Sequence, residues 1–244
     1  MDALVECEQV SRRHVAILVT DLARLSVAVT SCTRCPRLVA WREQVAAEKR
    51  ASFADEVYWG RPVPGFGDPK AALVVVGLAP AAHGANRTGR MFTGDRSGDW
   101  LYRSLFRAGF GNQPTSTGRD DGLELFGTWI TAPVRCAPPA NKPTPAERDN
   151  CSEWLSTELD LLPNATVFVC LGAYAYQSLW RHLGDRVNEL PRPRPKFGHG
   201  IEIDLEEGPV VLLSYHPSQQ NTFTGKLTES MLDAVFARAA ALTD

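Results

Sequence analysis

The stretch at residues 73–95, LVVVGLAPAAHGANRTGRMFTGD, decides the fold class of this chain. It opens with four apolar residues, three of them β-branched, and this pattern predicts a buried strand. A polar loop with glycines at 84, 89 and 94 follows and ends at Asp95. Long loops after buried strands are usually functional, and open α/β folds bind ligands at the carboxyl ends of their strands. The alternative is a solvated connection in which the glycines only make turns.

A second apolar segment, VVLLSY at 210–215, runs directly into His216. Two strands thus lead into polar loops, one carrying a carboxylate and the other an imidazole. Strands and helices alternate along the chain, which indicates a three-layer α/β/α fold around a mostly parallel, four-stranded sheet. The predicted strands are 73–76, 128–134, 166–171 and 210–215; the predicted helices are 14–30, 98–108 (with Ser97 as its cap), 145–161, 173–183 and 227–242. Residues 111–123 are predicted to be an exposed excursion.

Composition places the chain among ordinary globular proteins. Its 244 residues are 44% hydrophobic and 22% charged, and we expect a single domain over 1–244 whose first ten or so residues are flexible. No apolar run approaches the roughly eighteen residues that a membrane span needs. The acidic N-terminus does not resemble a leader, so we expect a cytoplasmic protein. The net charge of −2 implies that any nucleic-acid site is a local basic patch.

The six cysteines divide into a set of four candidate ligands and two single residues. Cys32 and Cys35 form a C-x2-C pair, and Cys136 and Cys151 follow much later in the chain. A cytoplasmic setting disfavours disulfides, so these four are candidates for a zinc site or an iron–sulfur cluster, between which spacing does not choose. Inert buried thiols are the alternative. Cys170, in an apolar strand, is predicted to be core, and Cys7 a bystander.

Four motifs in chain order resemble the uracil-DNA glycosylase superfamily, and specifically its family 5, the type-b iron–sulfur branch of bacteria and archaea. They are GLAPAAHG from Gly77, GRMFTGD from Gly89, VRCAPP from Val134 with Asn141, and HPS from His216 with Asn221. The resemblance extends from Cys32 to the last helix. It implies a DNA repair enzyme that hydrolyses the N-glycosidic bond of uracil without cutting the strand. It further implies a 4Fe–4S cluster held by Cys32, Cys35, Cys136 and Cys151.

Two departures from uracil-specific relatives imply a wider range of substrates. Those relatives commonly carry a polar residue at the position of Ala79, and the related iron–sulfur branch carries an asparagine at the position of Ala132. An amide tuned to one base edge rejects other bases, because they leave its buried polar groups unpaired. Its loss fits the type-b pattern, in which deaminated bases such as hypoxanthine are also removed.

The resemblance assigns candidate roles around the base. His216 donates a hydrogen bond to the developing negative charge on the base, together with the main-chain N–H groups of Leu78 and Ala79. Asp95 orients or deprotonates the attacking water, with Asn141 as the second candidate. Phe92 stacks on the flipped base. The alternatives are a structural histidine, a helix-capping Asp95, an Asn141 that only makes a turn and a Phe92 in the core. The remaining predicted pocket residues are Pro80, Ala81, His83, Ala132 and Asn221.

A DNA surface completes the prediction. In the loop 218–228, Phe223 is the candidate wedge that enters the base stack and Lys226 a phosphate contact, although a Schiff-base role for Lys226 is also conceivable. Two rival functions are a non-catalytic module that binds damaged DNA and a redox signal carried by the cluster. We expect a monomer with no membrane contact. The predicted basic surface consists of Arg87, Arg90, Arg96, Arg192, Arg194 and Lys196.

Overall fold

A computed structural model describes residues 21–184, 186–187, 189–206 and 208–243. The predictions for residues 1–20, including Cys7 and the first part of the helix at 14–30, lie outside this range. In the described part, the helices are α1 (Leu22–Thr30), α2 (Pro36–Glu48), α3 (Ala85–Thr88), α4 (Arg96–Arg107), α5 (Pro145–Asp160), α6 (Ala173–Gly184), α7 (Gln219–Phe223) and α8 (Glu229–Thr243). The strands are β1 (Phe66–Gly67), β2 (Leu73–Val76), β3 (Thr128–Thr131), β4 (Val167–Leu171), β5 (Glu202–Asp204) and β6 (Val210–Ser214).

The sheet has the order β1-β3-β2-β4-β6-β5. The four predicted strands form its centre and are parallel to one another, which confirms the predicted α/β class. The structure adds two short antiparallel edge strands, β1 and β5, so the sheet has six strands instead of four. Each edge strand is only two or three residues long, too short to show a hydrophobic pattern in sequence.

Side chains of the central strands alternate between two apolar layers. Leu73 and Val75 of β2 pack with α4 and α8, whereas Val74 and Val76 pack with α5 and α6. All four β2 side chains are buried, as are all five of β4. A strand covered on both faces therefore reads as a continuous apolar run, and the three-layer prediction follows from that run.

Several local predictions are wrong in instructive ways. Helix α4 begins at Arg96 and its N-cap is Asp95, not Ser97. Strand β3 ends at Thr131 instead of 134. The segment 111–123 is not simply exposed, because Ser116 is buried against Arg90. Helix α2, which begins directly after Cys35 with Pro36, has no counterpart in the prediction. No helix in the described ranges is long and apolar enough to cross a membrane.

Candidate active site and cysteine pocket

The candidate site lies where the central parallel strands end. Gly77 follows β2, Gly172 follows β4 and His216 follows β6 after one further residue. The N–H of Gly77 donates to the carbonyl of Thr131, and the N–H of Gly172 to that of Ser214, each at 2.8 Å. The first turn of each loop is therefore still part of the sheet. The rigid strand ends bring the first and the last motif to one edge of the molecule.

Phe92 connects these two motifs. Its ring stacks on the imidazole of His216, with centroids 5.8 Å apart and planes inclined by 28°. The same ring covers Gly77, where a Cβ atom would lie 2.7 Å from Cε2 of Phe92. Phe92 itself adopts a positive φ of 53°, a conformation that non-glycine residues seldom adopt outside functional sites. Position 77 therefore requires glycine for close approach of the ring.

Asp95 occupies the N-cap of α4 and is half-buried. Its Oδ1 accepts the N–H of Gly98 at 3.1 Å, so the capping interpretation is correct. Its Oδ2 lies against the main chain of Gly84, where a Cβ atom would collide with it. Burial raises the pKa of Asp95 above its ordinary value. The carboxylate is thus held between the first two motifs, and a raised pKa suits a group that accepts a proton from water.

His216 is a half-buried, neutral imidazole. Burial lowers its pKa to about 4, and its Nδ1 atom is buried with no hydrogen-bond partner among the described residues. Asn221 donates from Nδ2 to the main-chain carbonyl of His216 at 2.9 Å, while the N–H of Asn221 donates to Ser218 Oγ at 3.4 Å. Asn221 therefore stabilises the HPS loop through two hydrogen bonds.

The other predicted pocket residues are distributed unevenly. Leu78, Ala79, Ala81 and His83 are half-buried along the first motif, and Pro80 is buried. Ala132 is buried in the same core cluster against which Phe92 packs. Asn141 is exposed in the turn Pro139–Asn141 with a positive φ of 56°. Within the described ranges, no hydrogen bond or ring contact joins Asn141 to Phe92, Asp95 or His216.

Two predicted DNA contacts need correction. Arg87 is buried, pairs with Glu56 and donates to the carbonyl of Gly94 at 3.0 Å. Arg90 is buried too, and pairs with Asp121 at 2.5 Å. Both guanidinium groups bind partners inside the protein, where they fix the second motif. Neither is exposed at the surface.

The remaining candidate DNA residues do lie on the surface. Phe223 is 65% exposed at the end of α7, and the guanidinium of Arg96 lies 4.3 Å from its ring centroid. Lys226 is exposed and its Nζ lies 4.7 Å from the ring centroid of Tyr215. Arg96 follows Asp95 directly, so the possible wedge contacts the segment that carries the carboxylate. The basic side chains Arg192, Arg194 and Lys196 are exposed as well.

The sequence interpretation missed the residue that orients His83. Tyr58 is buried, and its hydroxyl lies 3.0 Å from Nδ1 of His83. Burial, together with Arg50 and Arg87, lowers the pKa of His83. Tyr58 lies in a segment rich in Gly, Pro and aromatic residues, a composition typical of an ordered loop that does not by itself indicate a contact with His83.

Four cysteines line one pocket between α1, α2 and α5. They are Cys32, Cys35, Cys136 and Cys151, and the pocket also contains the side chains of Arg34, Arg42, Arg135 and Trp154. None of the four is paired in a disulfide. Burial raises the pKa of Cys136 to about 11 and that of Cys151 to about 12. Cys170 is fully buried in β4, as predicted. The sequence segments that carry the four thiols therefore converge on one place.

Several N–H groups point at these sulfurs. The main-chain N–H of Arg135 donates to Cys151 Sγ at 3.4 Å, and Asn150 Nδ2 lies 3.7 Å from Cys35 Sγ. Such donors stabilise metal-bound thiolates. In the described part of the chain, no three His, Cys, Asp or Glu side chains are placed so that they could hold a single metal ion.

Comparison with known proteins places these features in one family. A family model described as the uracil DNA glycosylase superfamily matches residues 64–240. The type-5 uracil-DNA glycosylase of Mycobacterium tuberculosis is 54% identical over 223 residues, which cover 91% of this chain and 82% of the relative. That of Thermus thermophilus is 52% identical over 214 residues, covering 88% and 94%. The type-4 uracil-DNA glycosylase of Archaeoglobus fulgidus is 31% identical over 159 residues, covering 64% and 70%.

Proposed function

The chain belongs to the uracil-DNA glycosylase superfamily, and we propose that it is a type-5 enzyme that hydrolyses the N-glycosidic bond of uracil in DNA and leaves an abasic site. The observation that carries this proposal is the contact of Phe92 with His216 at the ends of β2 and β6. It joins an aromatic ring, a neutral imidazole and, through the backbone from Phe92 to Asp95, a half-buried carboxylate. These are the groups that hydrolysis of a flipped nucleotide needs.

The leaving base is stabilised from the His216 side. As the glycosidic bond breaks, its electron pair moves to the base, which departs as an anion. A neutral imidazole carries one N–H, and a donor in a half-buried site strengthens as negative charge develops on the base oxygen. The main-chain N–H groups of Leu78 and Ala79 are further donors for the same oxygen. Phe92 supplies a face for the base in this arrangement.

Asp95 acts on the deoxyribose and on the attacking water. Its carboxylate stabilises the positive charge that builds up on the deoxyribose and accepts the proton of the water that attacks C1′. Its raised pKa and its fixed position between Gly84 and Gly98 support this role. Asn141 is the second candidate for holding the water. Because it is exposed in a left-handed turn, its contribution requires that bound DNA or water extend to the turn.

The substrate range extends beyond uracil to other deaminated bases, of which hypoxanthine is our candidate. Ala132, buried at the end of β3, and Ala79 offer no side-chain amide or hydroxyl to read a base edge. Main-chain donors are less selective, and a larger base leaves no buried amide unpaired. The DNA itself is held by the exposed residues Arg96, Phe223 and Lys226, and the enzyme acts as a monomer.

Cys32, Cys35, Cys136 and Cys151 fit a 4Fe–4S cluster. Zinc needs its four ligands about 2.3 Å from one point, whereas a cluster accepts thiolates that are spread around a larger group. The four cysteines share one pocket, but in the described part of the chain no three side chains are arranged to hold a single metal ion. This combination favours the cluster. When bound, the cluster would supply covalent bonds that tie distant segments of the chain together. The site chemistry at Phe92, Asp95 and His216 needs no electron transfer.

The test uses purified protein and matched 30-mer duplexes that contain uracil or hypoxanthine, with alkaline cleavage to reveal abasic sites. Release of uracil is the expected result. Strand cleavage without alkali, or a covalent adduct trapped by borohydride, would instead indicate a Schiff base on a residue such as Lys226. Tight binding of both duplexes without base release would support the non-catalytic module. Iron and sulfide content of the same preparation tests the cluster.

A further inference from the structure

Arg42 differs from the other arginines of the cysteine pocket in its charge partners. Arg34 pairs with Glu153 at 2.6 Å, and Arg135 pairs with Glu158 at 2.5 Å. The side chain of Arg42 is only 4% exposed, yet its ion pair with Glu43 is long, at 3.8 Å, and Glu43 is itself 61% exposed. Its Nε has no hydrogen-bond partner among the described residues. A buried cation with so little compensation is costly unless a negative group is nearby.

The guanidinium of Arg42 is directed at the cysteines. Nη1 lies 3.0 Å from the sulfur of Cys136 and 3.2 Å from the main-chain carbonyl of Cys32. One nitrogen therefore contacts two of the segments that form the pocket. A thiol is a weak acceptor for a charged donor, whereas a metal-bound thiolate is negative and a strong one.

The main chain of Arg42 contacts residues 81–88, which comprise the end of the first motif and helix α3. The carbonyl of Arg42 accepts a hydrogen bond from Nδ2 of Asn86 at 3.2 Å. Asn86 is fully buried in α3, its N–H donates to the carbonyl of Ala81 at 3.0 Å, and its carbonyl accepts from Gly60. Asn86 thus holds the first motif, in which Ala79 packs, as Cys35 does, against the buried cluster that contains Cys136.

We propose that Arg42 is a positioning residue with two roles. Its guanidinium balances the negative charge of the metal-bound cysteine sulfurs, and its main chain, through Asn86, connects the cysteine pocket to residues 81–88. The inference rests on the proposed cluster. It gives the cluster a structural task in catalysis: residues 81–88, which include the predicted pocket residues Ala81 and His83, are anchored to the helix whose arginine the cluster neutralises. Cluster loss leaves the Arg42 charge uncompensated and releases that anchor.

The test compares the cluster-loaded wild type with Arg42→Met, Arg42→Lys and the matched control Arg34→Met, which removes a pocket arginine that already has a carboxylate partner. The readouts are decay of the cluster absorbance in air, the midpoint potential of the cluster and hydrogen exchange of peptides over 81–88. Arg42→Met should bleach about tenfold faster, since second-shell changes at metal sites commonly cost that much. Its potential should become more negative, because a nearby positive charge favours the reduced cluster, and exchange at 81–88 should rise.

Arg42→Lys keeps the charge and should lie closer to the wild type in potential than Arg42→Met does. Asn86→Ala should raise exchange at 81–88 while the potential stays unchanged. The inference is overturned if Arg42→Met matches Arg34→Met in both decay and potential or, where Arg42→Met does not fold, if Asn86→Ala leaves exchange at 81–88 unchanged. A wild type without iron refutes the cluster and this inference together. A wild type that holds iron but releases no uracil refutes the activity alone, because decay and potential still report on Arg42.

Discussion

The ring of Phe92 lies against the imidazole of His216, with centroids 5.8 Å apart and planes 28° from parallel. Phe92 belongs to the second motif, which ends at Asp95, and His216 begins the last one. The position of the imidazole relative to the carboxylate therefore depends on one aromatic side chain. That side chain fits only because Gly77 leaves its space open.

Replacing Phe92 by alanine should lower the single-turnover rate of uracil release by about 100-fold, because a displacement of about 1 Å in a reacting group can cost that much. The matched control is Phe106→Ala, which removes a 44% exposed ring from α4, away from the strand ends. If the two variants release uracil equally fast, Phe92 only fills space.

The neutral His216 predicts a specific pH dependence of stability. Burial lowers its pKa from 6.5 to about 4. Between these values the unfolded chain binds a proton that the folded site does not, so the free energy of unfolding falls as the pH drops through this window. Above pH 6.5 the residue contributes no pH dependence.

Urea unfolding of the wild type and of His216→Gln over this window tests the prediction, since glutamine does not titrate. The wild type should lose more stability than the variant on acidification. His83 and His199 also have lowered pKa values, but both proteins contain them, so their contributions cancel in the difference. Parallel curves for the two proteins would contradict a neutral, buried His216.

The buried pair of Arg90 and Asp121 should contribute to stability and not to DNA binding. Burial opposes ionisation of Asp121, but hydrogen bonds from Arg90 and the main chain outweigh it and lower its pKa to about 2. Arg90→Met leaves that carboxylate unpaired and should cost about 3–5 kcal/mol in urea unfolding. Arg103→Met, which breaks an exposed pair with Glu229, should cost less than about 1 kcal/mol. If Arg90→Met binds DNA more weakly but is no less stable than Arg103→Met, Arg90 would be a DNA contact, as the sequence predicts.

Lys226 should contact a DNA phosphate. Binding of a uracil duplex measured at several salt concentrations should give a slope of log K against log salt that is reduced by about 0.9 in Lys226→Met. Lys70→Met is the control, because Lys70 is exposed before the N-terminal end of β2, at the opposite edge of the sheet. Equal slopes for wild type and Lys226→Met would exclude the phosphate contact.

Much of the fold followed from the sequence, because the four central strands are buried on both faces and read as apolar runs such as 73–76. The edge strands β1 and β5 did not, since pairing of two or three residues depends on the neighbouring strand and not on a local pattern. The helix predicted from residue 145 begins there, and a capping box of Thr144 and Glu147 fixes that start with both of its hydrogen bonds.

The site was harder to predict where charge and burial compete. The sequence predicts Arg87 and Arg90 on the surface, because arginines in a polar loop are usually solvated. Both are buried because they pair with Glu56 and Asp121, which are about thirty residues away in sequence. The contact of Phe92 with His216 joins segments more than a hundred residues apart. No local pattern contains either relationship, so only the assembled loops reveal them.

The role of Asp95 is tested most directly by Asp95→Asn, measured for both unfolding and single-turnover release of uracil. Asparagine caps a helix as well as aspartate does, so stability should stay within about 0.5 kcal/mol of the wild type. It accepts no proton from water, so the rate should fall by at least about 100-fold. A stable variant that releases uracil at the wild-type rate would reduce Asp95 to a helix cap and contradict its proposed role in the hydrolysis.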